Sequence, residues 1–138
     1  MPIDLANLRR AIAALDEGLS ILHREQSNRA DPTLQLLLRD AAIQRFEFTF
    51  ETAWKTLKRY LQEYSLEQVD RATNRQIFRM GYEQGLLRDA EAWLLYLRQR
   101  NLTSHVYDQS VAEQIFNTIP QFLEDARWTL AQLEERLT

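Results

Sequence analysis

The sequence predicts an all-α protein, an antiparallel up-and-down bundle of four or five helices. Three observations lead there. Glycine and proline number only three each in 138 residues, and β-branched runs are missing, so strands have little support. Leucines and isoleucines near the start recur at alternating steps of three and four. A later apolar seam repeats every seven residues, the spacing of helices packed at shallow angles. The length suffices to bury a core without covalent staples, and no linker or internal repeat marks a boundary. Residues 1–138 therefore read as a single domain.

The first helix is expected to open with Asp4 as N-cap and Ile3 stapled onto Leu8. Its seam is Leu5, Leu8, Ile12, Leu15, Leu19 and Leu22, and it should end near His23-Arg24. The polar stretch Glu25–Ala30 reads as a loop. Asp31-Pro32 is an N-cap followed by proline at the first helical position, starting a long second helix to about Tyr64. Leu36, Ile43, Phe50, Leu57 and Tyr64 form its heptad line, with Phe46, Ala53 and Tyr60 beside it. Ser65–Arg71 reads as a turn. A third, shorter helix runs from about Asn74 to Gln84, with Gly85 at its C-cap. The fourth starts near Asp89 and turns Trp93, Leu94 and Leu97 inward. The last is expected to start at Ser110, where Ser110-Val111-Ala112-Glu113 has the form of a capping box. Ile115, Ile119, Phe122, Ala126, Leu130 and Leu133 are its buried stripe, and Pro120 should kink it.

Composition excludes several function classes. With no cysteine, a disulfide scaffold, a thiolate metal site and a cysteine nucleophile are ruled out. No apolar run approaches the roughly 18–20 residues that span a bilayer, and Met1-Pro2-Ile3-Asp4 does not begin a signal peptide. A cytoplasmic protein without a membrane partner is the expectation. Net charge is −3, which does not advertise a nucleic-acid binder. Yet between Asp70 and Arg100 six arginines face four acids, so a local phosphate-facing patch is permitted.

The concentration of chemistry lies in Arg100-Asn101-Leu102-Thr103-Ser104-His105-Val106-Tyr107. Trp93 and Leu97 define a buried line, and Arg100 is its next position; Leu94 and Leu97 lead likewise to Asn101. A core stripe that ends in arginine and asparagine implies a polar cleft at that end of the bundle. Arginine offers a forked cation matched to phosphate, and histidine can move a proton near neutral pH. The plainer reading is a capping and loop-ordering pair between two helices. His23, at an expected helix C-terminus, is read as a dipole partner. Asp40, Glu47 and Glu51 share a face, but without a histidine at ligand spacing they read as solvated surface rather than metal ligands. Arg71, Arg75 and Arg79, at i, i+4 spacing, are RNA or phosphate contacts on one reading and plain surface on the other. Trp54, Trp93 and Trp128 are most simply core or interface aromatics.

Arg100-x4-His105-x-Tyr107 resembles the signature of HEPN domains (higher eukaryotes and prokaryotes nucleotide-binding). The wider phrase Arg100-Asn101 … Ser104-His105-Val106-Tyr107-Asp108 resembles a bacterial branch of that family, the nucleotidyltransferase substrate-binding proteins. The stretch Gln44–Glu51, Ala53-Trp54-Lys55, Gly85-Leu86-Leu87 and Trp93 extend the likeness over roughly residues 40–130. The resemblance implies a four- or five-helix bundle that forms a homodimer with its motifs facing each other. It implies a minimal nucleotidyltransferase as partner and, in related members, metal-independent cleavage of RNA by the toxin of a toxin–antitoxin pair. Carried over by position, Arg100 would clamp phosphate and His105 would be the acid/base group. Asn101 and Ser104 would shape the site, and Tyr107 would accept AMP from the partner, which silences the toxin. No metal or other cofactor is implied. The older idea behind the branch name is a different class of function: a non-catalytic subunit that binds nucleotide or substrate for the nucleotidyltransferase.

Overall fold

The computed structural model describes residues 3–29 and 31–137. Met1, Pro2, Ala30 and Thr138 lie outside them, and with them the ends of the expected 1–138 unit and the last residue of the expected first loop. Among the described residues there are five α-helices, one 3-10 turn and no strand.

Helix α1 spans Ala6–Ser27. Asp4 accepts the Ala6 N–H at 2.8 Å, one residue before Leu5, which holds the cap position. All six seam residues from Leu5 to Leu22 are buried, and Ile3 packs partly against them. The helix runs past the expected stop at His23-Arg24, because Glu25 and Gln26 are good helix formers and no glycine or proline interrupts them. Their polarity signals solvent contact rather than a loop. His23 is thus an exposed residue inside the helix and not at its terminus. Arg29, in the left-handed region at φ +53°, turns the chain back.

Helix α2, Pro32–Tyr64, begins as expected, with Asp31 accepting the Thr33 N–H at 2.9 Å and Pro32 in the first turn. The short connection folds α2 back along α1, antiparallel. Arg45 Nη1 donates to the Ala14 carbonyl at 2.6 Å and Thr49 Oγ1 to the Ala11 carbonyl at 3.1 Å, tying the two helices together. The heptad line is buried at Ile43, Phe50 and Leu57, while its ends, Leu36 and Tyr64, are exposed.

Helix α3, Asn74–Glu83, carries a reciprocal capping box between Thr73 and Gln76. Gln84 is its C-cap, and Gly85 follows at φ +75°. A side chain there would be strained and would also lie 2.7 Å from the Arg136 guanidinium. Helix α4, Ala90–Asn101, is capped by Asp89. Its fully buried line is Trp93, Tyr96 and Gln99 with Ala92; Leu94 and Leu97 are only half-buried. Tyr96 points at a buried carboxylate on the last helix, Asp125, and donates its hydroxyl to it. Arg88 reaches the same carboxylate at 2.5 Å. Burial, then the Asp125 bond, pushes the Tyr96 hydroxyl far above its ordinary pKa, so it remains the donor.

A 3-10 turn, Leu102–His105, leads to helix α5, Gln109–Leu137. The start of α5 differs from expectation. Asp108, not Ser110, caps it, taking the Ser110 N–H and hydroxyl at 2.9 Å each. Glu113 is then free to pair with Arg39 at 3.2 Å instead of closing a box with Ser110. The helix continues through the exposed Pro120, and Ile115, Ile119, Phe122, Ala126 and Leu133 are buried, Leu130 partly. Phe46 and Phe122 meet edge to face at 4.9 Å and Tyr96 and Phe122 at 5.1 Å, while Phe50 and Trp93 lie tilted at 6.0 Å. Trp93 and Tyr96, from the first and middle turns of α4, tie that helix into this aromatic centre. No helix among the described residues is long and apolar enough to cross a membrane.

Candidate functional site

Arg100 lies in the last turn of α4, half-buried. Its Nη2 is hydrogen-bonded to Glu51 and lies 3.7 Å from Glu47, two carboxylates one turn apart on α2. Both acids meet the same nitrogen. Among the described residues, Nη1 and Nε have no protein acceptor, so their N–H groups remain available while Nη2 is taken by the acids. Glu47 and Glu51 are therefore not plain solvated surface: they hold the arginine. Asp40 faces Arg39 instead, at 3.3 Å. Among the described residues no three His, Asp or Glu side chains are grouped to hold a metal ion.

Thr103 Oγ1 donates to the Arg100 carbonyl at 2.7 Å and fastens the 3-10 turn to the end of α4. The turn leaves Ser104, His105 and Tyr107 exposed. His105 Nδ1 is 3.2 Å from the Tyr107 hydroxyl, with the rings edge to face and 5.8 Å between centroids. Tyr107 is 78% exposed, among the described residues the second most open large hydrophobic side chain after Leu66. Hydrogen bonds from the Ser110 hydroxyl and from the Ser110 and Val111 N–H groups hold the Asp108 carboxyl below its ordinary pKa. This next residue is thus charged and fixes where the turn becomes α5. Arg39, buried, donates to Gln109 at 2.7 Å and to Glu113, and so anchors the same junction to α2.

A pocket of about 270 Å³ opens beside Arg100, lined by Phe50, Glu51, Trp54, Lys55, Asn74, Leu97, Arg100 and Asn101. The structure thus brings Arg100 together with Asn101 at one pocket, and His105 together with Tyr107 on the adjoining turn. Ser104 and Asn101 have no side-chain hydrogen bond within the described residues. The expected arginine stripe does not form as one face. Arg71 lies in the turn before the α3 cap, Arg75 pairs with Glu91 at 3.3 Å, and Arg79 lies 3.7 Å from Glu83 and 3.9 Å from Glu67. Only Arg71 and Arg79 share a depression, and Glu67 shares it with them.

Sequence reasoning missed Glu47, Glu51 and Arg39 as members or supports of the site. A signal for the first two existed. They flank Phe50 of the buried seam, and an inward arginine needs an acid facing it.

Residues 3–135 match the family model described as nucleotidyltransferase substrate binding protein like. The chain is 37% identical over 97 residues to the Haemophilus influenzae protein named "Probable ribonuclease HepT", an alignment covering 69% of this chain. It spans 66% of that relative's length. A Haemophilus influenzae structure, described as the fold of a substrate-binding domain of a nucleotidyltransferase, superposes with a TM-score of 0.88. Identity is 31%, over 95% of this chain and 99% of that one. A crystal structure from Thermus thermophilus gives a TM-score of 0.73 at 37% identity, over 91% and 98% of the two chains. The sequence phrase around Arg100, His105 and Tyr107, the five-helix architecture and these likenesses agree: the chain belongs to the HEPN-type family of nucleotidyltransferase substrate-binding proteins.

Proposed function

We propose that this chain is a metal-independent endoribonuclease of the HEPN type, the toxin of a toxin–antitoxin pair, acting as a cytoplasmic homodimer of single-domain protomers. The observation that carries the reading is the exposed His105, one 3-10 turn beyond an Arg100 whose Nη1 and Nε have no protein acceptor among the described residues. The name of the Haemophilus influenzae relative at 37% identity supports it. In this reading a free N–H of Arg100, on Nη1 or Nε, donates to a phosphate oxygen of RNA, while Glu47 and Glu51 hold Nη2. Arg71 and Arg79 add weaker phosphate contacts at a distance, Arg75 least because Glu91 occupies it.

The chemistry uses the nucleophile that RNA itself carries. The 2′-oxygen bonds to the adjacent phosphorus and its proton passes to an imidazole. The P–O5′ bond breaks and the 5′-oxygen takes a proton from a second, protonated imidazole. One motif histidine per protomer requires two protomers, which is why the reading includes the dimer. The products are a 2′,3′-cyclic phosphate and a 5′-hydroxyl. Cleavage of a mixed-sequence RNA should persist in EDTA and yield cyclic-phosphate ends. Activity that disappears with chelator and returns with magnesium or manganese would overturn the mechanism.

A second reading rests on a separate observation, the pocket beside Arg100 and the family description as substrate-binding. A non-catalytic subunit would use that pocket to present nucleotide or substrate to its nucleotidyltransferase. It would bind RNA or nucleotide in EDTA and cleave neither.

A further inference from the structure

We propose that the pocket between α2, α3 and α4 is a nucleobase subsite, which receives the base of the nucleotide joined to the phosphate at Arg100. The inference rests on the nuclease reading for its ligand, an RNA strand, and adds a base-recognising element to it.

Four features of the pocket point to a base. Its size of about 270 Å³ falls just below the range of drug-sized sites, enough for one heterocycle and not for a dinucleotide. Its wall contains Trp54, whose Nε1 donates to Asn74 Oδ1 at 3.1 Å, so the indole is held in one orientation. Lys58, which does not line the pocket, keeps its ammonium 5.2 Å from the centre of the Trp54 ring system. The indole is therefore braced from outside the pocket. Phe50 and Leu97 supply the remaining apolar lining.

The polar groups are matched to the edge and the backbone of a nucleotide. Asn101 is exposed, and within the described residues its amide has no partner, leaving a donor and an acceptor side by side. That pair is complementary to the adjacent donor and acceptor on an adenine edge, and to the pairing edges of other bases. Lys55 is exposed at the rim and makes no ion pair among the described residues, an available partner for a neighbouring phosphate. Arg100 lines the same pocket. A base seated against Trp54 is therefore contiguous with a phosphate held by Arg100. Aromatic stacking with single-stranded bases is worth about 1–3 kcal/mol each, so loss of this contact should weaken binding roughly 5- to 150-fold.

The test uses short RNA strands made non-cleavable by 2′-deoxy substitution, with an abasic residue placed at each position in turn. Affinity for the full-length protein is measured by fluorescence anisotropy, with wild type, Trp54→Phe and Trp54→Ala side by side. The expected result is one position at which loss of the base weakens wild type at least fivefold. Trp54→Phe keeps that dependence, and Trp54→Ala, already weaker, loses it. Dependence on a base is a readout that a merely structural role of Trp54 would not move. If no position matters, or the same position matters equally in Trp54→Ala, the subsite is wrong. Cleavage of the all-ribose strand is followed in parallel. Cleavage without any base dependence overturns the subsite alone. Base-dependent binding without cleavage upholds the subsite and overturns the nuclease reading. Absence of both binding and cleavage overturns both.

Discussion

At the scale of residues, the side chains best placed for chemistry are those whose local partners leave them open. Arg100 is held by two carboxylates through one nitrogen, and Tyr107 is open to solvent with His105 beside it. An exposed phenol on a short turn can enter another protein's active site. If the partner is a minimal nucleotidyltransferase, the Tyr107 hydroxyl would give up its proton to a base of that enzyme, its oxygen would attack the α-phosphorus of ATP, and pyrophosphate would leave. The new phosphate then lies next to His105 and competes with RNA for the site. Incubating the chain with that partner and ATP should add the mass of AMP to wild type and nothing to Tyr107→Phe. A label on another residue, or none with an active enzyme, would contradict the switch. Arg100, His105 and Tyr107 were legible because they lie within one short phrase. Their supports were not. Glu51 is 49 residues from Arg100 in sequence, and a contact across helices leaves no spacing to read. Arg39 and Gln109, 70 residues apart, are the same case.

At the scale of elements, the junction between the 3-10 turn and α5 decides how the motif is presented. Asp108 caps α5 with three hydrogen bonds from Ser110 and Val111, which hold its carboxyl below the ordinary value of about 3.8. A depressed carboxyl pKa in the folded state adds stability that is complete above the unfolded value and is lost as pH falls through the folded one. Asp108→Ala should therefore lower Tm at neutral pH, and the gap from wild type should close below about pH 3.8. Thermal melts followed by circular dichroism across that range check it. Equal Tm at neutral pH would show that the cap contributes nothing, and a gap unchanged in strong acid would show that its contribution does not depend on the carboxylate charge. Asp31 was read correctly as a cap because it stands directly before a proline at the first helical position. Asp108 and Ser110 lie two residues apart and both can cap, and only the three-dimensional pairing of Glu113 with Arg39 separates them. The inward turn of Tyr96 was hidden for a related reason. Its hydroxyl is buried only because Asp125, 29 residues on, receives it.

At the scale of the whole molecule, the apolar seams were enough to read the architecture because every long helix buries its line in one common cluster. The aromatic centre around Phe122 stiffens the wall behind Arg100 and Trp54, so the site is built on helices rather than on a free loop. The proposed mechanism needs a second imidazole. The chain has two histidines, and His23 is on α1, outside the motif. A two-fold dimer bringing two motifs together supplies both a base and an acid. The most direct measurement is cleavage by wild type and His105→Ala, with light scattering on the same samples. The expected result is a dimer in both cases, cyclic-phosphate products from wild type, and a rate at least about 100-fold lower in His105→Ala. Undiminished cleavage by dimeric His105→Ala, or cleavage by a wild-type monomer, would contradict it.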